Sequence, residues 1–273
     1  MSPGHVGGAP GPDRDALPVG YLAVRSPRAF WITRSECADQ LERGDADLLL
    51  AGRGRREKRA GTGRGALMQL DLGGAPAIGK RALHGGLAGP LLGGLYLGSR
   101  RIVAQLNAAV RLGERGIPTP DVLAVGWRPA LPGLTAQAIL TRAIPGALNL
   151  YEAVQHDAPW RRRRGILSQA ARLVRAMHDA GFLHADLNVT NLVLGGTAEG
   201  DRIHVVDLDK GRFVAAPGLS QRAGNLGRLA RSHRKWIRGG SRVTPREEIF
   251  FLRCYAGSDR ALLRALLREL GRG

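Results

Sequence analysis

Residues 182–194, FLHADLNVTNLVL, set a histidine, an aspartate and two asparagines between apolar runs. A plain buried strand has no use for them, because each polar group taken out of water must find a partner. Upstream, Ile166, Ala170, Leu173 and Met177 repeat at helical spacing, Arg161 to Arg164 stand at the start of that helix, and Gly181 is placed to cap its end. Downstream, NLVLGG and RIHVVDLD read as the two strands of a hairpin. The stretch is therefore a loop that leaves a helix and enters a strand. It carries Asp186 and Asn191 five residues apart, and Asp207 closes the next strand, so two carboxylates and an amide meet at the mouth of one hairpin.

That set of groups points to a chemistry. Mg²⁺ takes oxygen ligands and is held by one or two protein groups together with phosphate oxygens, a role that fits Asn191 and Asp207. Asp186, kept off the metal, is placed to accept the proton of an attacking hydroxyl.

Working outward, the first 140 or so residues read as strand-rich with one inserted helix. YLAVRS and DLLLAGRG read as short strands or as strand and helix edges. In residues 61–86, Leu67, Gln69 and Asp71 alternate with Met68, Leu70 and Leu72; a Gly-Gly turn and a second strand reaching Lys80 complete a hairpin. Ile102, Leu106 and Val110 repeat at fours in a helix over 100–115 that RGIPTP stops, and DVLAVGWRP and LTAQAILTRAI supply two more strands. RAIPGALNL, at 142–150, is the natural hinge, and from about residue 219 the chain reads as helical. The expected organisation is a flexible tail over 1–20, a first lobe over 21–145 and a second over 146–273.

The 273 residues carry 41 Lys+Arg against 23 Asp+Glu, a net charge of +18 that favours polyanionic partners. Arg far outnumbers Lys beside abundant Ala and Gly, so part of this bias is genomic composition. Cys37 and Cys254 stand far apart and imply neither a disulfide framework nor a thiolate metal site. The opening MSPGHVGGAPGPDRDALP lacks the basic start and apolar core of an export signal, and no stretch reaches the length of a spanning helix. GGLAGPLLGGLYLG, at 85–98, is short and broken by glycine, and reads as a buried turn or surface-dipping loop.

HADLNVTN followed by VVDLD resembles the catalytic and metal loops of the protein-kinase-like superfamily. With ERGIPTP, IPGALNLYEA, VVDLDKGR and NLGRLARSHRKW, the chain resembles the bacterial lipopolysaccharide core kinases, most nearly the branch acting on 3-deoxy-D-manno-octulosonic acid (Kdo). The likeness covers roughly residues 55–240. It implies an α+β, bilobal protein-kinase-like fold, with an N-terminal antiparallel sheet and one helix, a mainly helical C-terminal lobe, and ATP held with Mg²⁺ between the lobes. The implied reaction is ATP-dependent phosphorylation of a hydroxyl on Kdo attached to lipid A. By this resemblance Asp186 is the catalytic base, Asn191 and Asp207 are the metal ligands, and His184 braces the loop. Lys80 contacts the nucleotide's α and β phosphates, and Gly61, Gly63 and Gly65 form the glycine-rich turn, for which Gly52-Arg53-Gly54 is a competing candidate.

The sequence departs from the superfamily at Gln105, where a glutamate would pair with Lys80, and at Asp207-Leu208-Asp209, which stands for aspartate, phenylalanine, glycine. In QRAGNLGRLARSHRKWIRGG, Leu226, Leu229 and Trp236 share one helical side and Arg228, Arg231, Lys235 and Arg238 the other. Such a helix suits the anionic inner leaflet, with the protein peripheral on the cytoplasmic face of the inner membrane and no nucleic acid as partner. Other readings stay open: a kinase of a heptose or an aminoglycoside-like molecule, or a nonenzymatic basic binding module on the same scaffold. Nothing in the sequence bears on oligomeric state.

Overall fold

The structure, a computed structural model, describes residues 17–51, 67–83, 94–155, 159–197, 200–237 and 244–271. The chain divides into two compact units, Met1–Asn107 with Asp121–Ala143, and Ala108–Pro120 with Ile144–Gly273. The glycine-rich candidates Gly61, Gly63 and Gly65, the competing Gly52 and Gly54, and residues 1–16 of the expected tail all lie outside the described residues. So does most of the apolar window at 85–98.

The first unit is an antiparallel sheet. Its strands are β1 (Tyr21–Arg25), β2 (Phe30–Arg34), β3 (Leu67–Leu72), β4 (Ala75–Arg81), β5 (Leu95–Leu97), β6 (Val122–Leu131) and β7 (Leu134–Arg142). Their order is β1-β2-β6-β7-β4-β3, with β5 also paired to β7. The β3–β4 hairpin follows the sequence reading: Met68 and Leu72 are buried, Gln69 and Asp71 exposed, and Gly73 and Gly74 turn at φ 66° and 85°. Two successive positive φ angles are what a two-residue turn between right-twisted strands requires.

A second layer on this sheet was only half legible. Residues 38–50 form two short helices, α1 (Ala38–Arg43) and α2 (Asp47–Leu50), where DLLLAGRG left strand and helix edge open. A four-residue apolar run has no period of its own, and packing decides it. Leu41, Leu49 and Leu50 bury against Trp31, Leu72, Ala77 and Leu140. Beneath them Gly126 lies flat against the indole of Trp31, which any Cβ there would overlap.

Helix α3 (Arg100–Glu114) buries Ile102, Leu106 and Leu112, whereas Val110 is only half-buried. It ends in a Schellman turn: Gly116 at φ 70° donates to Gly113 O (2.9 Å) and Ile117 to Leu112 O (3.0 Å), with Pro118 next.

The second unit is mainly helical. It comprises β8 (Leu148–Asn149), α4 (Leu150–Gln155), α5 (Trp160–Asp179), β9 (Phe182–Leu183), β10 (Leu192–Thr197), β11 (Gly200–Val205), β12 (Arg212–Phe213), α6 (Leu219–Ile237), α7 (Pro245–Ala256) and α8 (Arg260–Leu270). The fold class is thus the α+β, sheet-plus-helical arrangement expected. Strands β10 and β11 pair with Leu192 opposite Val205, which sets Asn191 and Val206 side by side at the open end of the hairpin. Asp207 lies beyond β11 rather than in it, because the ladder ends at Val205. Gly181, at φ 82°, does cap α5. A Cβ there would also sit 2.5 Å from Val214 O, so the glycine serves both the turn and the close approach of the chain beyond β12.

The Gly126–Trp31 contact generates a test of the first unit. Gly126→Ala should lower stability by about 1–3 kcal/mol, the usual cost of overpacking a close-packed core. The urea midpoint should fall while the slope of the transition stays unchanged.

Candidate functional site: a loop braced by two buried histidines

The polar residues of 182–194 are all engaged. After α5 the short β9 pairs with β12, and Leu187 and Val189 then anchor the loop, both buried. Between them Asn188 caps a single turn over Val189–Asn191. Its Oδ1 accepts from Thr190 N (2.8 Å), Asn191 N (3.1 Å) and Thr190 Oγ1 (2.6 Å). Its Nδ2 donates to Asp186 Oδ2 (3.1 Å), so the cap also fixes the exposed Asp186 carboxylate.

His184 is fully buried and joins the loop to the segment that carries Asp207. Its Nδ1 accepts from Asp186 N–H (3.1 Å), which leaves the ring proton on Nε2, where it donates to Val206 O (3.0 Å). Burial pushes its pKa below the ordinary histidine value, and the Val206 bond and the nearby Asp207 and Asp186 charges oppose that only in part. The ring is therefore neutral, with one donor and one acceptor matched to its two neighbours. Asn191 Nδ2 donates to Asp186 O (2.9 Å), while Val206 N–H donates to Asn191 O (3.0 Å). Residues 184, 186, 191 and 206 thus close a hydrogen-bonded ring with Asp207 next in the chain. Asp207 is held at φ 59°, a left-handed conformation that aspartate tolerates better than most residues but that still costs on the order of 1 kcal/mol. Half-buried Asp209 follows, with Leu208 buried between them.

Helix α6 backs this ring at three points that sequence reading missed. Asn225 Oδ1 accepts from His184 N–H (3.1 Å), Arg228 Nη1 donates to Ala185 O, and Ser232 Oγ accepts from Val189 N–H (3.0 Å). Spacings of three and four place these residues on one side of the helix. The signal in the sequence was the polar Asn225 beside the apolar Leu226 and Leu229, with nothing to say what it would meet. Leu226 and Leu229 are buried and Arg228 and Arg231 exposed, as the amphipathic pattern implied; the side chains of Lys235 and Trp236, and Arg238, lie outside the described residues.

Asn225 reaches a second buried imidazole. His178 Nε2 lies 3.3 Å from Asn225 Oδ1 and His178 Nδ1 lies 2.8 Å from Tyr255 Oη. The amide oxygen only accepts, so Nε2 carries the proton and Nδ1 accepts from the Tyr255 hydroxyl. Arg222 Nη1 donates to Tyr255 Oη (3.3 Å) and to Asp179 Oδ1 (2.7 Å), which ends the network at the surface.

The structure thus brings Asp186, Asn191 and the Asp207 segment together around one ring. Lys80 belongs to the first unit, half-buried at the end of β4 opposite Leu67 and Ile139. Gln105 is half-buried on α3. Mg²⁺ suits the donors present: because Asn191 Nδ2 faces Asp186 O, its Oδ1 is left as an acceptor, and with the Asp207 carboxylate it makes an all-oxygen pair.

The sequence model of the lipopolysaccharide kinase (Kdo/WaaP) family matches residues 80–255, from Lys80 through the ring to Tyr255. The chain belongs to that family. A 3-deoxy-D-manno-octulosonic acid kinase of Haemophilus influenzae (strain PittEE) is 32% identical over 163 residues, which are 56% of this chain and 64% of that protein. One of Actinobacillus succinogenes (strain ATCC 55618 / DSM 22257 / CCUG 43843 / 130Z) is 30% identical over 177 residues, 62% of this chain and 70% of the relative. The chain spans less than two thirds of the length of the Haemophilus proteins. Among solved structures, WaaP in complex with acyl carrier protein superposes with a TM-score of 0.53 at 21% identity, covering 83% of this chain and 91% of that one. That WaaP chain thereby shares the fold described above.

The tautomer of His178 has a consequence for pH. Burial first, with Arg222 adding to it against the Asn225 bond, lowers its pKa from 6.5 to about 4. The unfolded chain therefore takes up the proton first, and the contribution of this residue to stability is intact above pH 6.5 and is lost as pH falls toward 4. Between pH 7.5 and pH 5 the loss should be about 2 kcal/mol. Urea unfolding of wild type and His178→Asn at both pH values should show a steeper fall in wild type; parallel pH profiles would count against a neutral buried His178.

Proposed function

We propose that this chain is an ATP-dependent kinase that transfers a phosphoryl group to a hydroxyl of Kdo attached to lipid A. The observation that carries the reading is the ring joining Asp186, Asn191 and the Asp207 segment through neutral His184, in a chain that matches the lipopolysaccharide kinase (Kdo/WaaP) family from Lys80 to Tyr255. Kdo kinases at about 30% identity favour that acceptor over a heptose.

In this reading Asp186 is the base. Asn188 holds one carboxylate oxygen, leaving the other to accept the proton of the sugar hydroxyl. General-base catalysis contributes about 10²- to 10⁴-fold, so the larger share comes from holding the acceptor oxygen in line with the phosphorus. Asn191 Oδ1 and Asp207 are the groups that would hold Mg²⁺, and the ion would neutralise charge on the phosphates. Lys80 contacts the nucleotide's α and β phosphates, and the glycine-rich turn remains assigned to Gly61, Gly63 and Gly65. The first unit is the nucleotide-binding lobe and the second the catalytic and acceptor-binding lobe.

Peripheral attachment to an anionic membrane surface belongs to the same reading. Trp160, 49% exposed, and Phe250 flank Arg164, whose guanidinium lies 5.5 Å over the Trp160 ring and 4.6 Å over Phe250, and Ile249, next in the chain to Phe250, is 43% exposed. Arg161, Arg162 and Arg246 are exposed beside them. Apolar groups that enter an interface, ringed by cations worth about 1 kcal/mol each near anionic lipid, support a docking face on α5 and α7. Among the described residues no helix is long and apolar enough to cross a membrane.

With labelled ATP, Mg²⁺ and Kdo-lipid A, wild type should transfer label and Asp186→Asn should lower kcat by at least about 10²-fold. Undiminished turnover in that variant excludes the base assignment. Trp160→Ala combined with Arg161→Glu and Arg164→Glu should release the protein from phosphatidylglycerol vesicles in sedimentation while leaving transfer to detergent-dispersed acceptor intact.

A further inference from the structure

Four arginines around the second unit's helices are neutralised by carboxylates. Arg163 pairs with Glu247 (2.8 Å), Arg175 and Arg222 with Asp179 (2.7 Å each), and Arg234 with Glu248 (3.4 Å). Arg228 differs. Its guanidinium donates to Ala185 O, the carbonyl immediately before Asp186, and among the described residues it forms no ion pair. A full positive charge is thus tethered beside the proposed base, with one of its several N–H groups committed and the residue exposed to solvent.

The tether has three physical effects. It takes rotamer freedom from a long side chain before any ligand arrives, so less is lost on binding. It presents a planar fork, the geometry that pairs with a carboxylate through two parallel hydrogen bonds. It also places that fork in register with the loop, because Asn225 and Ser232 of the same helix hold His184 N–H and Val189 N–H on either side of Asp186.

We propose that Arg228 recognises the carboxylate of the acceptor sugar acid, and so sets which hydroxyl reaches Asp186. This rests on the acceptor class proposed above, a sugar acid, whose carboxylate a neutral heptose lacks. Arg228 is then a specificity residue as well as a brace, and the short link through Ala185 couples acceptor recognition to the position of the base.

The test compares Kdo-lipid A with the same acceptor whose Kdo carboxylate is converted to a carboxamide, using wild type, Arg228→Gln and Arg228→Lys. Gln removes the charge and, two bonds shorter, also releases Ala185 O; Lys keeps the charge without the fork. Wild type should prefer the acid by roughly 10- to 100-fold in kcat/KM, the range for charge-assisted hydrogen bonds. Arg228→Gln should bring the two acceptors to equal kcat/KM, the acid losing about 10- to 100-fold more than the carboxamide, and Arg228→Lys should fall between. A preference that persists in Arg228→Gln, or an equal fall for both acceptors, would reduce Arg228 to a brace and overturn the proposal. Failure of wild type to phosphorylate either acceptor would instead overturn the kinase reading, and this inference with it.

Discussion

The second unit depends on one imidazole held neutral. His184 sits between an N–H donor, Asp186, and a carbonyl acceptor, Val206, and only the uncharged ring with its proton on Nε2 satisfies both. Burial keeps the ring in that state. Through it a loop that follows α5 and a segment that follows β11 are joined, and Asp186, Asn191 and Asp207 are mounted on the joined pieces. The cap at Asn188 and the amide of Asn191 repeat the same principle on a smaller scale: each polar group in the apolar setting is used to fix another.

Helix α6 extends the constraint outward. Its Asn225 accepts from His184 and from His178, and His178 Nδ1 in turn accepts a hydrogen bond from the Tyr255 hydroxyl. The backbone N–H of His184, the Nε2 proton of His178 and the Tyr255 hydroxyl each meet an acceptor, which is the condition for burying polar atoms without destabilising the fold. Two histidines thus contribute by staying uncharged, in a protein whose net charge is +18. Arg163 and Arg222 pair with acids, while Arg228, exposed and bonded to Ala185 O, stands beside the loop that the network holds still.

Much of this was legible along the chain. Alternation in 67–72, the Gly73-Gly74 turn, the fours of Ile102 and Leu106, and the Ile166 to Met177 face each report a local period that burial then obeys. The loop's cluster of carboxylate and amide groups was legible too, as a run of polar residues inside apolar sequence that has to find partners. The α1–α2 layer was not, because DLLL has no length over which a period can show, and Trp31 with Gly126 selects the helical turn through packing. Asp207 was placed in its strand by sequence and beyond it by structure, since the ladder ends where Leu192 faces Val205 and the sequence names the partner strand but not the register.

By itself the sequence determined which of the longer periodic segments are helix or strand, where glycine must turn the chain, and which oxygen-bearing residues share a loop, because all of these follow from interactions between near neighbours. Only the tertiary structure decided that Asn225, 41 residues from His184, completes the loop, which nitrogen of each histidine bears the proton, and that Arg228 turns toward Ala185. A helical period tells which side of a helix is apolar; the carbonyl or amide that a polar side chain will meet depends on what another part of the chain brings to that spot.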